Sequence, residues 1–194
     1  MILASIKPYY YYLIGERKKT IEVRKSALKN LPQDIVFYMS KDEKSFAKIP
    51  KEFQEKYRKH FGKVGIKVVC DRIDEYKYVY CDHPEIGYPF GYDCGDNWYD
   101  IDDEDLQKAC LTEEEFKRYG NGKPLYGWHI SDLKIYDNPK ELSEFRPICK
   151  FEGKDLICNL CPNHEYNGGL FFECRRKVTC PPQSYMRVEE LKEV

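Results

Sequence analysis

Residues 19–24, Lys-Thr-Ile-Glu-Val-Arg, alternate between polar and apolar side chains. At the two-residue period of a β-strand, Ile21 and Val23 share one face. Thr20, Glu22 and Arg24 share the other face, with successive side chains roughly 7 Å apart. The apolar row requires a core, so this segment has to belong to a sheet that packs on one side. The polar row can line a ligand cleft or form a salt-bridged outer face, and the alternation alone favours neither.

The rest of the chain is predicted to contain more strands than helices. Strands are predicted at 1–6, 34–40, 63–75, 125–135 and 185–191, and helices at 8–15, 50–61 and 113–119. Thr112 and Glu115 have the capping-box spacing for the last helix, and Asn138-Pro139 predicts a turn. Helices at irregular intervals between strands favour an α+β fold, a small mixed β-barrel with flanking helices, over a doubly wound sheet.

The charge of the chain is unevenly distributed. The net charge is −1, yet residues 78–107 contain nine acids and neither lysine nor arginine. Without these acids the chain carries 32 basic and 24 acidic side chains, a balance of +8. A basic framework suits an anionic partner such as RNA or a nucleotide. The alternative is that the basic side chains only solvate helix surfaces.

Several short segments together resemble a known family. Ser5-Ile6-Lys7-Pro8 precedes a helix that ends at Gly15, and the strand at 19–24 follows. Segments 62–64, 111–119, 124–130 and 181–185 come later. Together they resemble the ASCH domain of the PUA-like superfamily, and the later ones are similar to its phage and prophage branch. The resemblance implies a PUA-like β-barrel whose ligand groove lies beside the strand and is formed by Lys7, Lys19, Thr20, Glu22 and Arg24.

This groove predicts a protein that binds RNA or a nucleotide, with a modified or unmodified base. The planar donors of Arg24 suit a phosphate or a base edge. Tyr126 and Trp128 are candidates for stacking on a base, although each aromatic side chain is also an ordinary core residue.

The alternative is a hydrolase. One branch of the family that the chain resembles removes acetyl groups from N4-acetylcytidine, with a lysine and a threonine nucleophile three residues later. Lys19 matches the lysine, but Glu22 stands at the nucleophile position. A carboxylate can activate water but cannot replace the hydroxyl in a covalent step. Lys19 and Glu22 are therefore candidate catalytic residues of such a hydrolase, or of a ribonuclease that also uses His129.

The chain is predicted to be a single domain, 1–194, with an acidic aromatic insertion at 78–107 and a Cys-rich insertion at 149–182. The acidic insertion is expected either to pack on the barrel as a surface loop or to bind a host protein through residues 82–105. The second interpretation would suit a phage protein.

The nine cysteines, without a signal-peptide pattern, predict a reducing compartment, the cytoplasm. No apolar run reaches the length of a membrane span. Near the C-terminus, four thiols predict a hairpin with a structural zinc site, formed by Cys158, Cys161, Cys174 and Cys180. Cys149 and His164 are substitute ligands. The alternative is four reduced cysteines packed in the hairpin.

Overall fold

The computed structural model describes residues 1–79, 98–148, 164–166, 172–174 and 176–189. The strands are β1 Ile2–Ile6, β2 Ile21–Arg24, β3 Gln33–Met39, β4 Val64–Tyr76, β5 Tyr78–Val79, β6 Trp98–Tyr99, β7 Leu125–Lys140, β8 His164–Tyr166, β9 Phe172–Cys174 and β10 Tyr185–Arg187. The helices are α1 Pro8–Gly15, α2 Glu43–Phe46, α3 Lys51–Arg58, α4 Asp103–Ala109 and α5 Glu113–Gly120, with a 3-10 turn at Leu142–Glu144.

Six strands form one mixed sheet in the order β10-β1-β3-β4-β7-β2. β1 runs parallel to β3 and antiparallel to β10, and β2 runs antiparallel to β7. The helices lie between these strands in the chain, so the predicted α+β class is confirmed. The PUA-like barrel and the single domain with two insertions stay predictions.

The chain divides into two compact units. Unit 1 comprises 1–12, 34–68 and 133–194, and unit 2 comprises 13–33 and 69–132. Each unit has its own buried apolar cluster. The cluster of unit 1 contains Leu3, Val36, Tyr38, Val64, Phe145, Val178 and Val188. The cluster of unit 2 contains Ile21, Val23, Tyr76, Tyr99, Ala109, Phe116 and Leu125.

The second cluster includes both apolar residues of the alternating strand, as predicted. The described end of the acidic insertion, 98–107, also contributes Tyr99 to this cluster, with Leu106 packed against it. Among the described residues, no helix combines the length and hydropathy that a membrane span requires.

The predicted turn at Asn138-Pro139 is wrong, because β7 continues through both residues to Lys140. β2 pairs only with Tyr126 to His129 of β7. Pro139 therefore lies beyond the stretch of β7 that pairs with β2, and a proline there removes no hydrogen bond to β2. The capping box of Thr112 and Glu115 at the start of α5 is confirmed.

The C-terminal hairpin is described by its backbone at two short strands. β8 pairs antiparallel with β9, which sets His164 opposite Cys174. Cys149, Cys158, Cys161 and the side chain of Cys174 lie outside the described residues. Cys180 is exposed and free. Within the part of the chain that is described, no three His, Cys, Asp or Glu side chains are grouped as metal ligands. The zinc site stays a prediction.

Candidate ligand site at the second strand

The pairing of β2 with β7 decides which side chains share a face. Glu22 stands opposite Trp128, and Arg24 opposite Tyr126. Because directly opposed residues of an antiparallel pair lie on the same face, these four side chains form one row. The predicted alternation is therefore correct from residue 21 to 24.

The polar face of β2 is buried. Lys19 is 3% exposed, Glu22 7% and Arg24 6%. Arg24 Nε lies 2.9 Å from Glu22 Oε1, and Lys19 Nζ lies 3.4 Å from Glu22 Oε2. The Arg24 guanidinium lies over the Trp128 ring, 5.6 Å from its centroid. We call Lys19, Glu22, Arg24 and Trp128 the Arg24 group.

Lys19 is held by the end of helix α4. Its Nζ donates to the carbonyl of Ala109, the last residue of α4, over 2.6 Å. Nearby, the backbone N–H of Thr20 donates to the carbonyl of Lys108. A cation at a helix C-terminus satisfies an orphan carbonyl and interacts favourably with the helix dipole. Burial lowers the pKa of the Lys19 ammonium, and the neighbouring Glu22 charge opposes that shift. Lys19 therefore anchors α4 to β2.

Glu22 bridges the two cations, one on each carboxylate oxygen. A carboxylate held on both sides fixes the plane of the arginine that it contacts. This geometry is that of an anchor for Arg24, rather than of a base that faces a water molecule.

Trp128 and Tyr119 supply the aromatic surfaces. Trp128 is fully buried, and its indole N–H donates to the Ser26 carbonyl over 3.1 Å. Tyr119, from the last turn of α5, is 40% exposed, and Lys25 Nζ lies 5.0 Å from its ring centroid. Burial raises the pKa of the Tyr119 phenol, with Arg24 opposing the shift and Glu22 adding to it. Tyr119 therefore lies within electrostatic reach of the buried pair.

Sequence reasoning missed Tyr119 as a site residue. Its only signal was an aromatic side chain in the last turn of a predicted helix, which is also typical of a core residue. The sequence does not show that the charges of Arg24 and Glu22 reach this turn.

The other predicted site residues are not members of the Arg24 group, although Tyr126 shares its face of the sheet. Thr20 precedes β2 and is exposed, whereas the Arg24 group is buried. Tyr126 is half-buried, and its hydroxyl donates to Glu75 Oε1 over 3.4 Å. Lys7 is exposed and belongs to unit 1.

His129 lies on the opposite face of β7 from Trp128, as the strand alternation predicts. It stands across from Ile21. Its Nε2 lies 2.7 Å from Asp74 Oδ2, and Arg72 Nη2 contacts both the imidazole and Asp74. His129 is therefore separate from the Arg24 group.

No protein-family model matches the chain, and no curated protein matches it. Among solved structures, the chain is similar to ASCH from Zymomonas mobilis, with 17% identity and a TM-score of 0.44 over 97% of this chain and 87% of that one. Two mutants of the Zymomonas mobilis protein give 15% identity and TM-scores of 0.45 and 0.44, over 97% of this chain and 90% and 88% of theirs. At these values, the likeness assigns neither a residue role nor an activity to the present chain.

Proposed function

We propose that the chain binds RNA or a nucleotide and that Arg24 recognises it. The observation that carries the proposal is a guanidinium oriented by Glu22 and placed over Trp128, with the exposed ring of Tyr119 within electrostatic reach. The resemblance of residues 19–24 to an ASCH domain also supports it.

The arrangement suits a nucleotide for physical reasons. An arginine whose plane is already fixed loses less side-chain entropy when it binds, and its fork of donors matches a phosphate or a base edge. The partly exposed Tyr119 offers a face on which a base can stack. Lys25, exposed beside that ring, adds a second cation for a phosphate.

The residues then have distinct roles. Arg24 and Tyr119 contact the ligand, Glu22 orients Arg24, and Lys19 fixes β2 to α4. Trp128 supports the guanidinium from within the core. Thr20 and Tyr126, which belong to the same unit, remain candidates for contacts further along a bound strand.

The test is fluorescence anisotropy with labelled single-stranded RNA, repeated from about 50 to about 300 mM salt. We expect binding that weakens with salt and falls about tenfold or more in Arg24→Gln, because a charge-assisted contact is lost. Arg58→Gln is the matched control, since Arg58 also contacts a carboxylate and an aromatic ring. Circular dichroism establishes that both variants are folded. Equal binding by folded Arg24→Gln and the wild type would refute the proposal.

A hydrolase is the second candidate, and the buried Lys19 is the observation that favours it. Burial lowers the pKa of this ammonium, and a lysine that loses its proton more readily can act as a base. Glu22 lies 3.4 Å away. Incubation of the wild type with N4-acylcytidines and with RNA, followed by chromatography, would reveal product. Intact substrates after prolonged incubation with folded protein would exclude this candidate.

A host-protein contact through residues 82–105 stays a prediction, as does the phage branch of the family. Residues 82–97 lie outside the described part of the chain.

A further inference from the structure

We propose that unit 1 contains a second ligand site, which binds a small phosphomonoester independently of Arg24. The site is a cavity of about 670 Å³, within the size range of small-molecule sites. It is lined by the end of β3 and the residues just after it, by Gly62, by the start of the 3-10 turn, and by Lys177, Val178, Thr179 and Pro181. All of them belong to unit 1.

Two lysines give the cavity its positive charge. Lys41 and Lys177 both line it, and both are exposed. Within the described residues, neither ammonium group makes an ion pair or a hydrogen bond. Glu141 also lines the cavity, but its Oε1 lies 2.8 Å from Lys63 Nζ, so its charge is balanced by a neighbour. The remaining positive charge suits an anion.

Lys41 is oriented by the chain beneath it. Gly62 lines the same cavity with a φ of +75°, and a Cβ at this position would collide with Lys41 Cε. The backbone N–H of Gly62 donates to Met39, which ties the turn to the end of β3. The stem of Lys41 therefore rests on a glycine that the left-handed backbone requires, and its ammonium is positioned beside the cavity.

Hydroxyl groups on the walls add donors for a phosphate. The Oγ of Ser40 is buried and has no hydrogen-bond partner in the described part of the chain. Thr179 also lines the cavity. Burial, reinforced by the charge of Glu141, raises the pKa of the Tyr38 phenol, so this side chain keeps its proton. An acceptor such as a phosphate oxygen is the partner that such groups need.

The floor of the cavity is apolar. Val178 belongs to the buried cluster of unit 1, and Leu142 packs against that cluster. Both line the cavity. A free inorganic phosphate would leave this surface uncovered, whereas a phosphomonoester covers it with its organic part. This combination of cations, hydroxyls and an apolar floor defines the ligand class.

Calorimetric titration of the whole chain with AMP, adenosine and inorganic phosphate tests the proposal. We expect AMP to bind at least about tenfold more tightly than adenosine, because the lysines meet its phosphate. Lys41→Met and Lys177→Met should each weaken AMP binding about tenfold. Lys41→Arg keeps a cation at position 41 and should bind AMP about as tightly as the wild type. Lys48→Met is the control, since Lys48 is an exposed lysine of unit 1 that does not line the cavity.

The outcomes separate this site from the Arg24 group. AMP binding that persists in Arg24→Gln and weakens in the folded Lys41 and Lys177 variants supports a second site. Binding lost in Arg24→Gln but unchanged in both lysine variants would overturn it. Equal affinities for AMP and adenosine, or for AMP and inorganic phosphate, would overturn the ligand class.

Discussion

Arg24 in unit 2 and Arg58 in unit 1 make the same kinds of contact in different surroundings. Arg24 pairs with Glu22 at 2.9 Å and lies over Trp128. Arg58 Nη1 donates to both carboxylate oxygens of Glu43, at 3.1 and 3.0 Å, and its guanidinium lies over Phe46 and Phe61. The side chain of Arg24 is 7% exposed, whereas that of Arg58 is 53% exposed.

This difference in exposure decides what each contact contributes. Water screens an exposed ion pair, so forming or breaking it changes stability little. A buried charge that loses its partner keeps its full desolvation penalty. The short distances between Arg58 and Glu43 therefore do not imply a large contribution to the free energy of unfolding. The burial of Glu22 predicts that removing its carboxylate lowers that free energy strongly.

Unit 1 also contains a buried polar pair, but that pair is neutral. The Tyr11 hydroxyl lies 2.9 Å from His60 Nδ1, and the two residues are 0% and 1% exposed. Burial lowers the pKa of His60 to about 4 and raises that of Tyr11. Both groups are therefore neutral at pH 7. Among the described residues, the buried charged side chains Lys19, Glu22 and Arg24 all lie in unit 2, whereas the buried pair of unit 1 carries no charge.

The largest effect is expected for Glu22→Ala. Removing the carboxylate leaves two buried cations without it, so the free energy of unfolding should fall by about 3–5 kcal/mol. Urea denaturation followed by circular dichroism measures this change. The double variant Glu22→Leu/Arg24→Met is the control, and it should lose less than the single variant because apolar side chains replace both partners. If Glu22→Ala lowers the free energy of unfolding by less than about 1 kcal/mol, water screens the Arg24–Glu22 pair as well. Burial would then not distinguish this pair from the Arg58–Glu43 pair.

A smaller effect, dependent on pH, is expected at His60. In the unfolded chain His60 binds its proton near pH 6.5, and in the folded chain only near 4. Between these values the unfolded state binds more protons, so the free energy of unfolding falls as pH decreases from about 6.5 to about 4. Below about pH 4 the contribution of His60 no longer changes with pH. The loss is at most about 3 kcal/mol.

The matched variant is His60→Asn, whose side-chain amide can still form a hydrogen bond to Tyr11 but does not titrate. Urea denaturation at several pH values should give a shallower decline below pH 6.5 for this variant than for the wild type. Parallel declines would mean that His60 takes up its proton in the folded state and that unit 1 does not require a neutral pair.

The sequence predicted the local part of the site. Strand alternation correctly put Ile21 and Val23 in a core and set Glu22 with Arg24 on one face. It grouped Thr20 with them, although Thr20 precedes the strand and is exposed. The contact of Lys19 with Ala109 joins residues 90 positions apart, so no local pattern contains it.

The other contacts that the sequence did not predict have the same physical cause, since they join residues that lie far apart in the chain. Tyr119 comes within electrostatic reach of Arg24 only through the tertiary fold, and a helix pattern in the sequence does not contain this information. Arg58 and Glu43 are 15 residues apart on two separate helices, beyond the spacing of neighbours on one helix. The prediction of a turn at Asn138-Pro139 was wrong because the turn preference of Asn-Pro is a local signal. Whether a strand accommodates a proline depends on which neighbouring strands pair with it at that position.

The smallest effect is expected for Glu43→Ala, the exposed counterpart of Glu22→Ala. Arg58 still contacts Phe46 and Phe61 in this variant, and water solvates its charge, so the free energy of unfolding should change by less than about 1 kcal/mol. Urea denaturation at about 50 mM and about 1 M salt measures both the change and its screening. The small change should shrink further at high salt, whereas the loss in Glu22→Ala should persist because salt screens a buried pair much less than an exposed one. A salt-independent loss of several kcal/mol at Glu43 would mean that bidentate geometry, rather than burial, sets the strength of these arginine pairs.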